Sequence, residues 1–122
     1  LFPYTTLFRS QSAPDLIDLI RKYKFDFDNE DSNAPYLEEL YQCDLLIIDD
    51  LGTELSTQFS NMAIYNILNR RLLINKKMII STNLNTNELM STYSERIYSR
   101  ILGNFSMYKF FGDDIRLKMR TM

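Results

Sequence analysis

Four consecutive aliphatic residues, Leu45-Leu46-Ile47-Ile48, run directly into two carboxylates, Asp49-Asp50, and a glycine follows at position 52. A half-exposed strand alternates apolar and polar side chains, whereas an unbroken apolar run bounded by turn signals is a strand covered on both faces. Such strands belong to parallel sheets, which place their ligands at the carboxyl ends of the strands. Asp49 and Asp50 stand at that end. Two readings are open from these residues alone: an acidic pair that holds a metal-bound ligand, or an ordinary Asp-Asp turn closing a core strand.

Composition narrows the chemistry. With no histidine and a single cysteine, Cys43, zinc sites and Cys/His or Ser/His catalysis lack ligands and a base. One cysteine also excludes an internal disulfide and suits a reducing, cytoplasmic setting; standing just before the apolar run, it reads as an inert, partly buried thiol. The 122 residues allow one domain with a modest core, and 45% hydrophobic and 25% charged residues are ordinary for a globular protein. A net charge of −2 offers no global basic field for nucleic acid. No apolar run approaches a membrane span, so no membrane partner is expected.

Along the chain, Leu1 to Ser10 (LFPYTTLFRS) stands apart. It resembles the conceptual translation of a sequencing adapter, and we read residues 1–10 as a non-native segment; the alternative is a genuine β-like stretch, Tyr4 to Phe8. Residues 11–122 then form part of one domain. The pattern predicts a helix over 11–25, with Ser12 as N-cap, Pro14 in the first turn, and Leu16, Ile17, Leu19 and Ile20 inward. Arg21, Lys22 and Lys24 suit its C-terminal dipole. A polar connector over 26–34 leads to a short helix from Pro35 to Tyr41. Beyond the opening strand, a polar loop leads to a long helix that begins near Ser56 or Phe59 and ends at Asn75. Its inward stripe is Ile64, Ile67, Leu68 and Leu72. Residues 77–83 (KMIISTN) read as a second buried strand. A helical turn follows over 87–90, then a helix over 95–102 stopped by Gly103 in a left-handed cap. The aromatic run 105–111 reads as a third strand. This alternation is a βαβ series, hence an α/β parallel sheet covered by helices.

Phosphoryl transfer needs a metal carboxylate, a group orienting water, a polar reader of the γ-phosphate and cations for developing charge. The chain holds candidates in order. Asp49 would hold Mg²⁺, through water or directly, Asp50 would polarise the attacking water, and Asn83 could hydrogen-bond the γ-phosphate or that water. Arg100 and Arg116 are cations whose duty these residues alone leave unassigned. Four motifs carry a resemblance over residues 11–118: LLIIDDLGTE, MIISTNL, ERIYSRILGNF and FFGDDIR. Together they resemble the Walker B, sensor I, arginine-finger and sensor II regions of DnaC/DnaI-type helicase loaders. These are AAA+ ATPases of the P-loop class, with IstB-type transposition helper ATPases as near relatives. The resemblance implies ATP and Mg²⁺ as cofactors. It assigns Asp49 to the metal, Asp50 to the catalytic acid, Asn83 to sensor I, Arg100 to the finger and Arg116 to sensor II. Arg96, one turn from Arg100, shares its helix face and could take the finger role; both could instead pair with Glu95 or Glu88.

The resemblance further implies self-association through a finger acting in trans, a replicative DNA helicase as partner, and assembly on single-stranded DNA. Arg70, Arg71, Lys76 and Lys77 are candidates for gripping DNA, although the Lys pair also suits a helix end. No aromatic-basic interleaving marks a stacking platform. One departure is severe. The phosphate-cradling loop GxxxxGK[ST] occurs nowhere, and the first glycine is Gly52. The expected fold is therefore a partial P-loop NTPase: a three-layer parallel sheet lacking its first strand and P-loop, with exposed edges and low stability, and inactive alone. Rival readings are a non-enzymatic α/β interaction module and, less directly, a receiver-like phosphoacceptor.

Overall fold

The computed structural model describes residues 7–24 and 34–110. Its elements are β1 (Phe8–Ser12), α1 (Ala13–Lys24), α2 (Ala34–Gln42), β2 (Leu45–Leu51), α3 (Gln58–Leu73), β3 (Lys77–Thr82), α4 (Thr86–Thr92) and α5 (Glu95–Asn104). The three strands form one sheet in the order β1-β2-β3, parallel throughout. The expected βαβ series is present, and the DLLIID strand is central in it.

The membership of that sheet differs from expectation in one strand. Residues 105–111 were read as the third strand. In the structure Phe105 caps α5, and residues 106–110 pair with no strand; Phe111 lies outside the described residues. Aromatic content alone does not make a strand when no edge receives it: Tyr108 and Phe110 are 82% and 81% exposed. The third strand is instead β1, in register from Phe8 opposite Leu45 to Ser12 opposite Asp49. Phe8, Arg9 and Ser10 thus belong to the sheet, and Gln11 and Ser12 are strand rather than helix. Ser12 still serves as a cap, its Oγ accepting the Asp15 N–H at 3.2 Å.

Helix ends follow local chemistry. Thr57 and Ser60 close a capping box at the start of α3. Asn85 and Glu88 do the same for α4, which begins at Thr86, one residue before the turn expected over 87–90. Gly103 does not stop α5 in a left-handed conformation: the helix runs to Asn104, whose side chain bonds the Arg100 carbonyl at 3.0 Å. Among the described residues Gly52 is the only positive-φ glycine.

The core lies on one face of the sheet. Leu46 and Ile48 are fully buried and contact a cluster that includes Leu16, Ile17 and Ile20 of α1, Leu40 of α2, Ile64, Ile67 and Leu68 of α3, and Ile97 of α5. The alternate residues face the other way and are less covered: Leu45 and Ile47 are half-buried, and Phe8 and Ile79 are 57% and 54% exposed. Covering on both faces was expected; among the described residues the second helical layer is absent, so β2 and β3 are buried on one face only.

Among the described residues, Arg71 is the largest side chain wholly buried in the interior. Its guanidinium donates to the Leu40 carbonyl at 2.9 Å, the Lys77 carbonyl at 2.8 Å and Cys43 Sγ at 3.4 Å. It therefore ties the end of α2 to the start of β3 and is not available to grip DNA, contrary to expectation. Arg70 is surface-exposed but engaged, lying 3.8 Å from the Tyr41 ring centre and 3.4 Å from Glu38.

Candidate functional site at the carboxyl end of the central strand

The acidic pair sits where β2 is irregular. Ile48 pairs with Ile80 and Leu51 with Thr82, so Asp49 and Asp50 together oppose Ser81 alone. That is a β-bulge, two residues against one, and such bulges re-aim side chains at strand ends. Asp50 takes up the extra length with a φ of 58°, the left-handed region that Asp tolerates better than most residues.

Ser81 holds both members of the pair. Its hydroxyl donates to Asp49 Oδ1, and its oxygen accepts the Asp50 N–H at 3.0 Å. The hydroxyl of Thr82 donates to the Leu51 carbonyl and accepts the Leu84 N–H at 3.1 Å. The turn beyond is equally fixed. The Thr53 hydroxyl and N–H both donate to the Asp50 carbonyl, at 2.8 and 3.2 Å. The Gly52 N–H donates to Glu54 Oε1 at 2.8 Å. Glycine is required at position 52, because φ is 107° and an added Cβ would lie 2.7 Å from Leu84 Cδ1.

Asn83 is exposed and stands two residues past Ser81, at the same carboxyl edge. The structure thus gathers Asp49, Asp50 and Asn83 at one end of neighbouring strands. Arg100 lies elsewhere. Its Nε donates to Asn69 Oδ1 at 3.3 Å, its Nη1 to the Arg96 carbonyl at 2.8 Å, and its guanidinium carbon lies 4.8 Å from the Tyr65 ring centre. Arg96 approaches the same ring at 5.9 Å. Neither pairs with Glu95 or Glu88 among the described residues; both flank an aromatic ring on α3, a basic-aromatic juxtaposition the linear sequence does not display. Arg116 lies outside the described residues.

Three contributors escaped the sequence. Ser81 was legible in principle, since a hydroxyl two residues before Asn83 in a neighbouring parallel strand falls opposite the acids once the register is known. Glu54 and Tyr93 meet across 39 residues, for which no local signal exists.

Two carboxylates and nearby hydroxyls are the oxygen donors that Mg²⁺ prefers, and Mg²⁺ commonly takes only one or two protein carboxylates beside water and phosphate oxygens. The donor set fits that use. It does not make a closed all-protein cage: no group of three or more His, Cys, Asp or Glu among the described residues could hold a metal.

No family model matches the chain. In sequence it is similar to the replicative helicase loader DnaC of Escherichia coli K12, 29% identical over 104 residues covering 84% of this chain and 42% of that protein. It is also similar to the uncharacterized protein YdaV of the same organism, 28% identical over 87 residues covering 71% of this chain and 35% of that protein. The chain thus spans less than half the length of these relatives. Among solved structures, the DnaC helicase loader matches at a TM-score of 0.69 with 22% identity, covering 79% of this chain and 56% of that one. AMPPCP-bound DnaA from Aquifex aeolicus matches at 0.66 with 20% identity, covering 79% and 29%. The fold is that of the AAA+ P-loop domains. Within this parallel sheet, the bulged end of β2 and the end of β3 form a carboxyl edge of the kind where α/β folds bind their ligands. No helix among the described residues is long and apolar enough to cross a membrane.

Proposed function

We propose that these residues are the Walker B and sensor I portion of an ATP-hydrolysing AAA+ protein of DNA replication, of the helicase-loader type. The observation that carries this is the Asp49-Asp50 bulge, held by Ser81 at the sheet's carboxyl edge beside Asn83. Similarity to DnaC supports the replication setting.

In this reading Asp49 is the metal carboxylate, with Ser81 fixing its orientation. Bound Mg²⁺ would neutralise charge on the β- and γ-phosphates. Asp50, on its left-handed backbone at the bulge, orients the attacking water and receives its proton. Asn83 hydrogen-bonds the γ-phosphate. Arg100, or Arg96 on the same face, serves the site of a neighbouring subunit in trans; that its bonds run to α3 and its own helix supports a role away from this chain's own acids. Arg116 is the sensor II cation. The assembly acts on a replicative helicase and single-stranded DNA. The phosphate cradle is not among these 122 residues, which hold no GxxxxGK[ST], and on this reading the chain alone hydrolyses no ATP.

The test is Asp50→Asn in a protein that joins these residues to a P-loop. ATP binding should persist while turnover falls by about 10²-fold or more. Unchanged turnover would remove Asp50 from its role. Micromolar binding of a fluorescent ATP analogue to the 122-residue chain by itself would refute the external phosphate cradle.

A further inference from the structure

Glu54 and Tyr93 form a contact that the acidic pair's chemistry does not use. They are 8% and 4% exposed, and the Tyr93 hydroxyl donates to Glu54 Oε2. Among the described residues Glu54 has no cationic partner. A buried carboxylate without a counter-ion is costly, and closing the turn through the Gly52 N–H alone does not require one.

The two ends of this contact lie in different parts of the domain. On one side, Glu54 closes the turn that begins at Asp50, through Gly52, while Thr53 bonds the Asp50 carbonyl twice. The strand end and its turn are therefore one stiff unit. On the other side, Tyr93 is the C-cap of α4 and directly precedes Ser94, the N-cap of α5. Helix α5 carries Arg96 and Arg100, and is seated in the core by Ile97 and Ile101. Burial, reinforced by the adjoining carboxylate, holds the Tyr93 phenol above its ordinary range, so it remains a donor.

We propose that the Glu54–Tyr93 contact is a coupling joint that makes the Asp49-Asp50 strand end and the guanidinium-bearing helix α5 respond as one body, with Glu54 and Tyr93 as positioning residues. Its use in an ATPase cycle rests on the function proposed above; the coupling itself is a property of this chain. Through it, a change at the acidic pair moves the face that carries Arg100.

Nitrogen-15 NMR of the 122-residue chain tests this, with the Arg100 Nε–H as reporter on α5 and the Gly52 amide as reporter on the turn. Asp49→Ala should shift both signals. In a Tyr93→Phe background it should still shift Gly52, while the Arg100 displacement shrinks at least about threefold. Glu54→Gln keeps an acceptor for Gly52 and a partner for the phenol, and should retain most of that displacement. An Arg100 signal indifferent to Asp49→Ala, or moving equally without the hydroxyl, would overturn the joint. Should Tyr93→Phe not fold, hydrogen exchange of the unsubstituted chain decides: Gly52 and Tyr98 amides should open together, with protection within about tenfold. A wider gap overturns the proposal. Neither readout involves ATP, so failure here is separable from failure of the Asp50→Asn test.

Discussion

Removing the Arg71 side chain should be among the most damaging single changes in this domain, and the structure says why. The guanidinium is 0% exposed and gives two hydrogen bonds to main-chain carbonyls, Leu40 at 2.9 Å and Lys77 at 2.8 Å. Leu40 lies in the last turn of α2, where carbonyls lack intrahelical partners, so Arg71 acts as a cap supplied from another helix. Truncation to Ala leaves one or two buried acceptors unmet at about 1–3 kcal/mol each, and opens a cavity beside Leu40 and Cys43. The sum is about 3–5 kcal/mol, partly offset because a desolvated cation is also removed. Arg71 Nε has no partner among the described residues, so that offset is real. Arg71→Met, which fills the space without a charge, should therefore cost less than Ala. Urea denaturation of the chain and both variants measures this; in a domain of this size each kcal/mol moves the melting temperature by about 4–8 °C. An Ala variant losing under about 1 kcal/mol would refute the capping argument. A Met variant worse than Ala would refute the cavity argument.

Gly52→Ala should cost at least about 1–3 kcal/mol from backbone strain alone at φ 107°, before the 2.7 Å approach to Leu84 is relieved; a melting temperature within error of the parent would contradict it. Acid should loosen the start of the sheet. The Leu7 N–H, and secondarily Lys76, hold the Asp44 carboxyl below its ordinary 3.8, so this contribution is present above that pH and is lost as pH falls through the lower folded value. Asp44→Asn should flatten that limb in a pH series of melts. Base acts in the opposite sense at Tyr93: burial, then the bond to Glu54, raises the phenol above its ordinary 10.0, so its stabilisation is full below pH 10 and is lost on going higher. Tyr93→Phe should lower stability at neutral pH and remove that alkaline fall.

What the sequence disclosed and concealed divides along physical lines. Leu45 to Ile48 was legible because an aliphatic run ending in turn residues has few other uses, and α3 was legible because Ile64, Ile67 and Leu68 recur at helical spacing, although the Thr57 cap that fixes its start was not read. β1 was not. Phe8-Arg9-Ser10-Gln11-Ser12 is mostly polar, and it is a strand because β2 offers a free edge, a tertiary cause with no signature in the segment itself. The aromatic run after α5 erred the other way, with strong strand propensity and no edge to receive it. Arg71 illustrates a third failure. Ile64, Ile67, Leu68 and Arg71 recur at i, i+3, i+4 and i+7, so the periodicity pointed inward while the residue type pointed outward. At the site, the acids were visible in sequence; the Ser81 hydroxyl that orients them required the register of β3.

The unbroken apolar run and the missing phosphate loop bear on the same question. Leu46 and Ile48 supply the core, yet Leu45 and Ile47 are equally apolar and point to a face with no helix among the described residues, beside the exposed Phe8 and Ile79. Sheets that face water on one side carry polar residues there; this face holds Ser10 and Lys77, but Phe8, Leu45, Ile47 and Ile79 outnumber them. Its sequence is suited to cover on that second face. On the proposed reading the phosphate cradle is also wanting, and in a parallel α/β sheet a phosphate loop joins a strand to a helix lying against the sheet. One strand-loop-helix unit docking beside β3 would cover Ile47 and Ile79 and bring phosphate-binding N–H groups towards Asp49. On that reading, joining these residues to such a unit should raise stability and nucleotide affinity together, and a gain in one without the other would refute it.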